Sequence, residues 1–340
     1  MNENLKRYIK EIPKAELHVH IEGTFEPELM FEIAHRNNIP VNYETVEEMR
    51  EAYQFNNLQE FLDLYYAAAN VLLHEQDFYD LAMAYMKKAY DDNVIHTEIF
   101  FDPQTHTERG VEFETVINGL VRAQEDAKEK YGISSKLIMC FLRHLSEESA
   151  FETLEMALPF RNKIAGVGLD SSENGHPPSK FFNVFAKVRD HGFFVVAHAG
   201  EEGPAENVWE ALELLEAERI DHGVASIEDE ILMEKLRDNE IPLTVCPLSN
   251  VKLKVFNDLS EVPIKEFLEN EIIVTINSDD PPYFGGYIND NFLQTAEALN
   301  LTKEDIYTLA KNSFTASYVD IKTRDQFMNK LEEFDKSFEW

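Results

Sequence analysis

Residues 15–23 read AELHVHIEG, and the fold class of the chain can be worked out from this stretch. Its centre, residues 16–21, is a short apolar run that we interpret as a buried β-strand. His18 and His20 stand two positions apart, so on a strand both side chains point to the same face. A buried strand that ends in polar side chains on one face is typical of sheets that carry a site where their strands end.

Seven further apolar runs follow along the chain. Most of them are continuously apolar rather than alternating, which is typical of parallel strands that are covered on both faces. Together with the first run, the predicted strands span residues 16–21, 95–101, 136–142, 164–170, 193–199, 219–222, 242–246 and 272–278.

The gaps between most of these runs are about 20–40 residues long, which is the size of a helix with its two loops. Eight strands that alternate with helices predict a (β/α)8 barrel, formed by residues 1–340 as one domain. A doubly wound parallel sheet is the alternative fold. The gap over residues 22–94 is much longer than the others, and we interpret it as a helical insertion over the barrel mouth, where it can act as a lid.

Helical spacing within the gaps predicts amphipathic helices. One such set in the long insertion comprises Leu58, Phe61, Leu62 and Tyr65. Because apolar residues at this spacing usually pack into a core, we assign the set no functional role.

The composition limits the class of protein. Hydrophobic residues make up 44% of the 340 residues, enough for a large core, and 64 acidic residues against 31 basic ones give a net charge of −33. This charge opposes binding to nucleic acids and to anionic membranes. The two cysteines, Cys140 and Cys246, form no disulfide framework, and no secretory signal or membrane-spanning run is recognisable. We therefore expect a cytoplasmic protein.

Polar side chains are concentrated where predicted strands end. In an α/β barrel these ends meet at one mouth, where active sites lie. The ends of the first, fifth, sixth and eighth runs carry His18 and His20, His198 and Glu201, Asp221 and His222, and Asp279 and Asp280.

A metal site is the first prediction from these residues. His18 and His20 alone would more often be packed core histidines than ligands. With His198 and Asp279 they supply three nitrogens and one oxygen, a shell that suits zinc and leaves a position open for water. Iron or manganese can occupy the same set of ligands.

Three further residues suit acid–base chemistry beside such a metal. Glu201 can donate a proton if its pKa is raised, His222 can accept a proton from water, and Asp280 can contact a substrate. Each also has an ordinary structural explanation, such as a helix-terminal acid, a hydrogen-bonded core histidine or a turn cap. The residues together predict metal-assisted hydrolysis of a C–N or C–O bond, and they leave the substrate open.

Four segments in this order resemble the adenosine/adenine deaminase family of metal-dependent hydrolases: AELHVHIEG (15–23), HAGEEGP (198–204), ERIDHG (218–223) and NSDDPPYFGGY (277–287). The segment EIFFDPQTHTERG (98–110) and the residues that follow the paired aspartates resemble its adenine deaminase branch. The resemblance implies that zinc is held by four residues, namely His18, His20, His198 and Asp279. It also implies that Glu201 protonates N1 of a purine, that His222 orients or deprotonates the attacking water, and that Asp280 binds N7.

The activity that the resemblance implies is hydrolytic deamination of adenine to hypoxanthine and ammonia in purine salvage, with a purine base as the small-molecule partner. Glu22 stands where the nucleoside enzymes typically have an aspartate near the ribose, and we interpret the longer acid as crowding or repelling a sugar. A deaminase of N6-substituted adenine or of adenosine is the alternative. A non-catalytic metal-binding barrel is a distant one, because Glu201 and His222 are both present. The sequence leaves the oligomeric state open.

Overall fold

The computed structural model describes residues 1–55 and 57–340; Asn56, within the predicted insertion, lies outside the described residues. Eight strands form one sheet in the order β1 to β8, and each pairs in parallel with the next. The strands are β1 (Lys14–His20), β2 (Val94–Phe101), β3 (Ser134–Leu142), β4 (Gly166–Asp170), β5 (Phe194–Ala199), β6 (Arg219–His222), β7 (Leu243–Val245) and β8 (Val274–Ile276).

The sheet closes on itself where the chain leaves β8 and runs beside β1. The Asp279 amide donates a hydrogen bond to the His18 carbonyl, and the His20 amide donates to the Asp279 carbonyl, both at 3.1 Å. Val19 and Asp279 thereby form a parallel bridge. The predicted barrel is confirmed, and the doubly wound alternative is wrong because such a sheet has two open edges.

The described helices alternate with the strands and cover the outside of the barrel. They are α1 (Glu3–Glu11), α2 (Pro27–Asn37), α3 (Val46–Glu51), α4 (Leu58–Ala69), α5 (Glu75–Asp91), α6 (Pro103–Thr107), α7 (Phe113–Tyr131), α8 (Glu147–Ala157), α9 (Phe182–Asp190), α10 (Ala205–Glu213), α11 (Glu230–Asp238), α12 (Pro247–Lys252), α13 (Ile264–Glu269), α14 (Pro281–Phe284), α15 (Ile288–Ala298), α16 (Lys303–Thr315) and α17 (Ile321–Ser337). Among the described residues, no helix is both long and apolar enough to cross a membrane.

The core forms because the strands are buried on both faces while each helix buries one stripe. All seven residues of β1 are buried, although four of them are polar or charged. On α7, Val116, Leu120 and Ala123 face inward at helical spacing. The helix packs so closely on α5 that a Cβ at Gly119 would lie 2.5 Å from the Glu75 carbonyl oxygen, which only glycine tolerates.

The long gap between β1 and β2 contains helices α2 to α5. The last of these, α5, packs against β2 and α7 and so behaves as an ordinary barrel helix. The additional structure is therefore carried by α2, α3 and α4, a shorter part of the predicted insertion over residues 22–94. Its role as a lid stays a prediction.

Candidate active site

Four of the predicted metal ligands meet at the carboxyl ends of β1 and β5 and in the turn after β8. His18 Nε2 lies 3.4 Å from Asp279 Oδ1, and His20 Nε2 lies 3.5 Å from the same oxygen. His198 Nε2 is 3.1 Å from His20 Nε2. All four side chains are buried.

The hydrogen bonds of His18 fit a metal ligand. Its Nδ1 lies 2.9 Å from the Thr244 hydroxyl and 3.2 Å from the Thr244 carbonyl, which can only accept, so Nδ1 carries the proton. Its Nε2 is buried and has no hydrogen-bond partner among the described residues. The free electron pair of Nε2 therefore points into the cluster, as coordination requires.

The other two imidazoles have carboxylates behind them. Asp221 Oδ2 lies 3.6 Å from His198 Nδ1, and Asp170 Oδ2 lies 3.5 Å from His20 Nδ1. Carboxylates in this position orient a ligating imidazole and increase its basicity. A ligand atom of each of His18, His198, His222 and Asp279 lies within 4.8 Å of the others, so these four residues can hold a metal, whereas His20 groups in the same way with Asp102 and Asp170.

Two residues of the site have left-handed backbone conformations. His222 has φ of 62° and Asp279 has φ of 63°, a region that costs non-glycine residues free energy. For Asp279 the two hydrogen bonds to β1 hold the backbone there. This conformation turns the carboxylate from the strand direction toward the mouth.

Glu201 and His222 face each other across the site. Glu201 Oε1 lies 3.5 Å from His222 Nε2, and both side chains are buried. Burial, followed by the negative charge of Asp279, raises the pKa of Glu201 well above its ordinary value. Burial also lowers the pKa of His222 to about 3. Burial thus favours the protonated form of Glu201 and the neutral form of His222.

Asp280 follows the cluster directly and is pressed against the segment after β1. A Cβ at Gly23 would lie 1.5 Å from Asp280 Oδ1, so only glycine leaves room for this carboxyl group. Oδ1 is buried and has no hydrogen-bond partner among the described residues. Burial and the neighbouring charge of Asp279 raise the pKa of Asp280 well above its ordinary value.

The loop that carries Glu201 is held by one carboxylate, that of Glu173. Its Oε1 accepts hydrogen bonds from the Gly200 amide (2.8 Å) and the Asn207 side chain (2.8 Å). Its Oε2 accepts from the amides of residues 201, 202 and 203 at 2.8–3.0 Å. Sequence reasoning missed Glu173, although it follows β4 within three residues, the same kind of position that identified the other site residues.

A pocket of about 390 Å³ opens beside these groups. Its lining includes carboxyl groups as well as apolar and aromatic side chains, and none of the described residues that line it is lysine or arginine. Its lining from α4 comprises Leu58, Phe61, Leu62, Tyr65 and Tyr66. Leu58, Phe61, Leu62 and Tyr65 are buried in the core as their spacing predicts, and they also line the pocket.

The position of Glu22, close to the end of β2, differs from the expectation that this side chain crowds a sugar. The Glu22 side chain turns away from the pocket and lies 2.7 Å from His106 Nε2, while its Oε1 accepts a hydrogen bond from the Asp102 amide at 3.2 Å. Glu22 is not among the residues that line the pocket, whereas Asp102 and Asp170 are. The structure therefore does not support direct crowding of a sugar by Glu22.

Comparisons with known proteins agree with this geometry. The model of the family described as Adenosine deaminase matches residues 13–334. A protein of Acinetobacter baylyi named adenine deaminase is 63% identical over 328 residues, 96% of this chain and 99% of that protein. Its namesake in Psychrobacter cryohalolentis is 59% identical over 325 residues, 96% of this chain and 98% of that protein.

Solved structures show the same similarity. The crystal structure of adenine deaminase from Arthrobacter aurescens has a TM-score of 0.94 and 47% identity, and covers 96% of this chain and 100% of that chain. An amidohydrolase from Burkhoderia ambifaria, solved with bound Zn, has a TM-score of 0.91 and 24% identity, and covers 99% of this chain and 94% of that chain. The second similarity shows the fold.

Proposed function

The chain belongs to the adenosine deaminase family of metal-dependent hydrolases, and we propose that it converts adenine and water to hypoxanthine and ammonia at the barrel mouth. One observation carries the proposal: buried Glu201, whose pKa is raised, lies 3.5 Å from His222, whose pKa is lowered, in the pocket lined by His20, His198 and Asp279. Relatives of 55–63% identity that are named adenine deaminase support adenine as the substrate.

We assign one zinc ion to four residues, His18, His20, His198 and Asp279. The free Nε2 of His18 and the carboxylates behind His20 and His198 support this assignment. When bound, zinc acts as a Lewis acid that makes a water molecule nucleophilic near neutral pH. Iron or manganese fits the same ligands, and elemental analysis distinguishes the three.

Glu201 and His222 move the protons of the reaction. Glu201 gives its proton to N1, which makes C6 more electrophilic, while the attacking water gives a proton to His222 and bonds to C6. His222 then passes this proton to the departing amine, the C6 hydroxyl proton returns to Glu201, and ammonia leaves. Both side chains end in the states in which they began.

Asp280 fixes the orientation of the ring. N7 of adenine only accepts hydrogen bonds, so a carboxyl group that binds it must be protonated. Burial and the charge of Asp279 raise the pKa of Asp280, which favours the protonated form, and its Oδ1 has no hydrogen-bond partner among the described residues. N1 and N7 lie on the two sides of the amino group at C6, so Glu201 and Asp280 together position the reacting carbon.

Helix α4 supplies the cover of the pocket. The side chains of Phe61, Leu62 and Tyr65 lie against the space between the carboxyl groups and the bulk solvent. A planar heterocycle bound there makes apolar contacts and excludes water from the groups that transfer protons. We therefore propose that α4 is the lid part of the insertion.

The experiment is to measure initial rates of ammonia release from adenine, adenosine and N6-methyladenine with one purified sample. We expect the highest kcat/KM for adenine. A higher kcat/KM for adenosine or for N6-methyladenine would show that the substrate is wrong while the reaction class stands. Absence of ammonia release from all three would contradict the reaction class itself.

A further inference from the structure

We propose that Asp102 forms a subsite that accepts the imidazole N–H of a free purine base, so that purines with a carbon substituent on N9 are excluded. The inference rests on the proposed function and gives a structural basis for the preference for adenine over adenosine. Asp102 follows β2 directly and lines the pocket beside Tyr65 and Asp170.

The Asp102 carboxylate is fixed in place but not saturated with hydrogen bonds. Its Oδ2 accepts a hydrogen bond from the Tyr65 hydroxyl at 2.8 Å, and its backbone amide is held by Glu22. Its Oδ1 is buried and has no hydrogen-bond partner among the described residues, and Asp102 is only 2% exposed. A buried polar atom without a partner is costly, so such an atom in a pocket indicates a ligand that donates a hydrogen bond.

The backbone places Asp102 on the Asp280 side of the pocket. Two consecutive residues form the link, because Glu22 Oε1 accepts a hydrogen bond from the Asp102 amide while Gly23 packs on the Asp280 carboxyl group. The charge of Asp102 is also among the causes that raise the pKa of Asp280, after burial and the effects of Asp279. Both carboxyl groups thus lie along one edge of a bound ring.

This placement identifies the group on the ligand. With N1 at Glu201 and N7 at Asp280, the edge beyond N7 carries C8 and then N9. In free adenine N9 bears a hydrogen, which a carboxylate oxygen accepts. The neighbouring ring atom N3 only accepts hydrogen bonds and so cannot donate one to Asp102 Oδ1.

Exclusion of nucleosides follows from the same contact. A ribose or methyl group on N9 removes the hydrogen, leaves Oδ1 unpaired and pushes carbon against Asp102 and Tyr65. Sites built to hydrogen-bond a group on the substrate reject analogues that lack it far more strongly than apolar pockets reject a missing methylene. Asp102 thereby takes the role in excluding a sugar that sequence reasoning gave to Glu22.

The test compares adenine with 9-methyladenine, which differ at N9 alone. We expect the wild-type kcat/KM ratio of the two to exceed about 1,000. In Asp102→Ala the ratio falls at least about tenfold, mostly through loss of activity on adenine. Asp102→Leu, which keeps approximately the side-chain volume and has no hydrogen-bond acceptor, serves as the second variant if Asp102→Ala does not fold, and its ratio also falls.

The matched control uses neighbouring tyrosines of α4. Tyr65→Phe removes the hydroxyl that bonds to Asp102 and lowers the ratio partly, whereas Tyr66→Phe, whose hydroxyl bonds to Ser171, leaves the ratio unchanged. Isothermal titration calorimetry with hypoxanthine and 9-methylhypoxanthine gives the corresponding ratio of Kd values, which does not depend on turnover.

Three results would overturn the proposal. In the first, Asp102→Ala lowers kcat/KM equally for both substrates. In the second, Tyr66→Phe lowers the ratio as much as Asp102→Ala does. In the third, Asp102→Ala instead changes the preference for adenine over 3-deazaadenine, which would place Asp102 at N3. Failure of the wild-type enzyme to deaminate adenine would overturn the proposed function, a result distinct from an unchanged ratio in active variants.

Discussion

Buried charged groups occupy both ends of the barrel, but the partners of these groups differ between the two ends. At the amino end of the strands, cations meet their partners: Arg219 Nη1 lies 2.5 Å from Glu98 Oε2, and Lys14 Nζ donates to the Asp92 carbonyl at 2.7 Å and to Asn289 at 2.9 Å. At the mouth, five carboxyl groups line a pocket to which the described residues bring no lysine or arginine. They are Asp102, Asp170, Glu201, Asp279 and Asp280.

The difference indicates what each end is for. The amino end pairs its charges within the protein, so it contributes to stability. The mouth leaves His18 Nε2, Asp102 Oδ1 and Asp280 Oδ1 without partners among the described residues, which is typical of a site that binds a ligand. Variants at the mouth should therefore affect kcat, and variants at the amino end should affect the free energy of unfolding.

The largest expected effect is that of Glu201→Gln at the mouth. Loss of the proton donor should lower kcat on adenine by a factor of about 1,000, because a positioned general acid typically contributes 10²–10⁴. The free energy of unfolding should change by less than about 1 kcal/mol, since the glutamine resembles the protonated acid. Steady-state kinetics and urea unfolding measure the two quantities.

The control for this variant is Glu202→Gln, which removes a carboxylate from the same loop. We expect its kcat to stay within about fivefold of wild type. Wild-type kcat in Glu201→Gln would refute the assigned proton donor.

The next effect is that of Glu98→Gln at the amino end. It removes the carboxylate 2.5 Å from buried Arg219 and leaves that of Asp221, 3.6 Å from Nε, so the free energy of unfolding should fall by about 3–5 kcal/mol. The kcat of the folded fraction should stay within about threefold of wild type. Urea titration and active-site-normalised rates measure both.

A surface ion pair provides the control for Glu98. Glu28 pairs with Arg50 while 58% of its side chain is exposed, so Glu28→Gln should cost less than about 1 kcal/mol. If Glu98→Gln were stable but inactive, the division of roles between the two ends would be wrong.

A smaller effect on the mouth is expected from Glu173, which we regard as a positioning residue. Glu173→Ala removes the acceptor of four consecutive amides, so we expect kcat to fall about 10-fold to 100-fold while KM for adenine changes less. Glu173→Gln should recover part of the loss, because its carbonyl oxygen can still accept the three hydrogen bonds now made to Oε2.

Glu147 is the matched control for Glu173. It also accepts two backbone amides, those of Asn183 and Val184 at the start of α9, but it does not line the pocket. Glu147→Ala should lower stability and leave kcat unchanged. Equal losses of kcat in the two alanine variants would mean that Glu173 acts through stability alone.

The smallest effect concerns pH. Burial lowers the pKa of Lys14 from 10.5 to about 7. Between these values the unfolded chain holds a proton that the folded chain lacks, so this residue makes stability rise with pH, by at most about 1.4 kcal/mol per unit. In Lys14→Met that slope should disappear between pH 7 and 9.5, measured by urea unfolding at each pH; identical slopes in both proteins would contradict the lowered pKa of Lys14.

Sequence reasoning succeeded where the deciding pattern is local. Each observed strand begins and ends within two residues of its prediction, because a buried parallel strand is a continuous apolar run bounded by polar residues. His18, His20, His198 and Asp279 could be identified because each stands at or directly after such an end, and barrel closure then brings them together.

It failed where a role depends on contacts distant in sequence. Glu173 holds amides about 30 residues away, and Asp102 depends on Tyr65 of the insertion, so neither role shows in the local pattern. The spacing of Phe61 and Tyr65 on α4 is the same for a helix that packs on a core and for one that covers a pocket. Only the position of α4 over the mouth distinguishes the two.

The most direct test of the central claim, that a metal and adenine complete the mouth, is made on one purified sample. Elemental analysis gives the metal content per chain, and ammonia release from adenine and adenosine is followed before chelation, after chelation and after zinc is restored. The account predicts about one zinc ion per chain, a higher kcat/KM for adenine, loss of activity on chelation and its return with zinc. Full activity on adenine in a metal-free sample would contradict it.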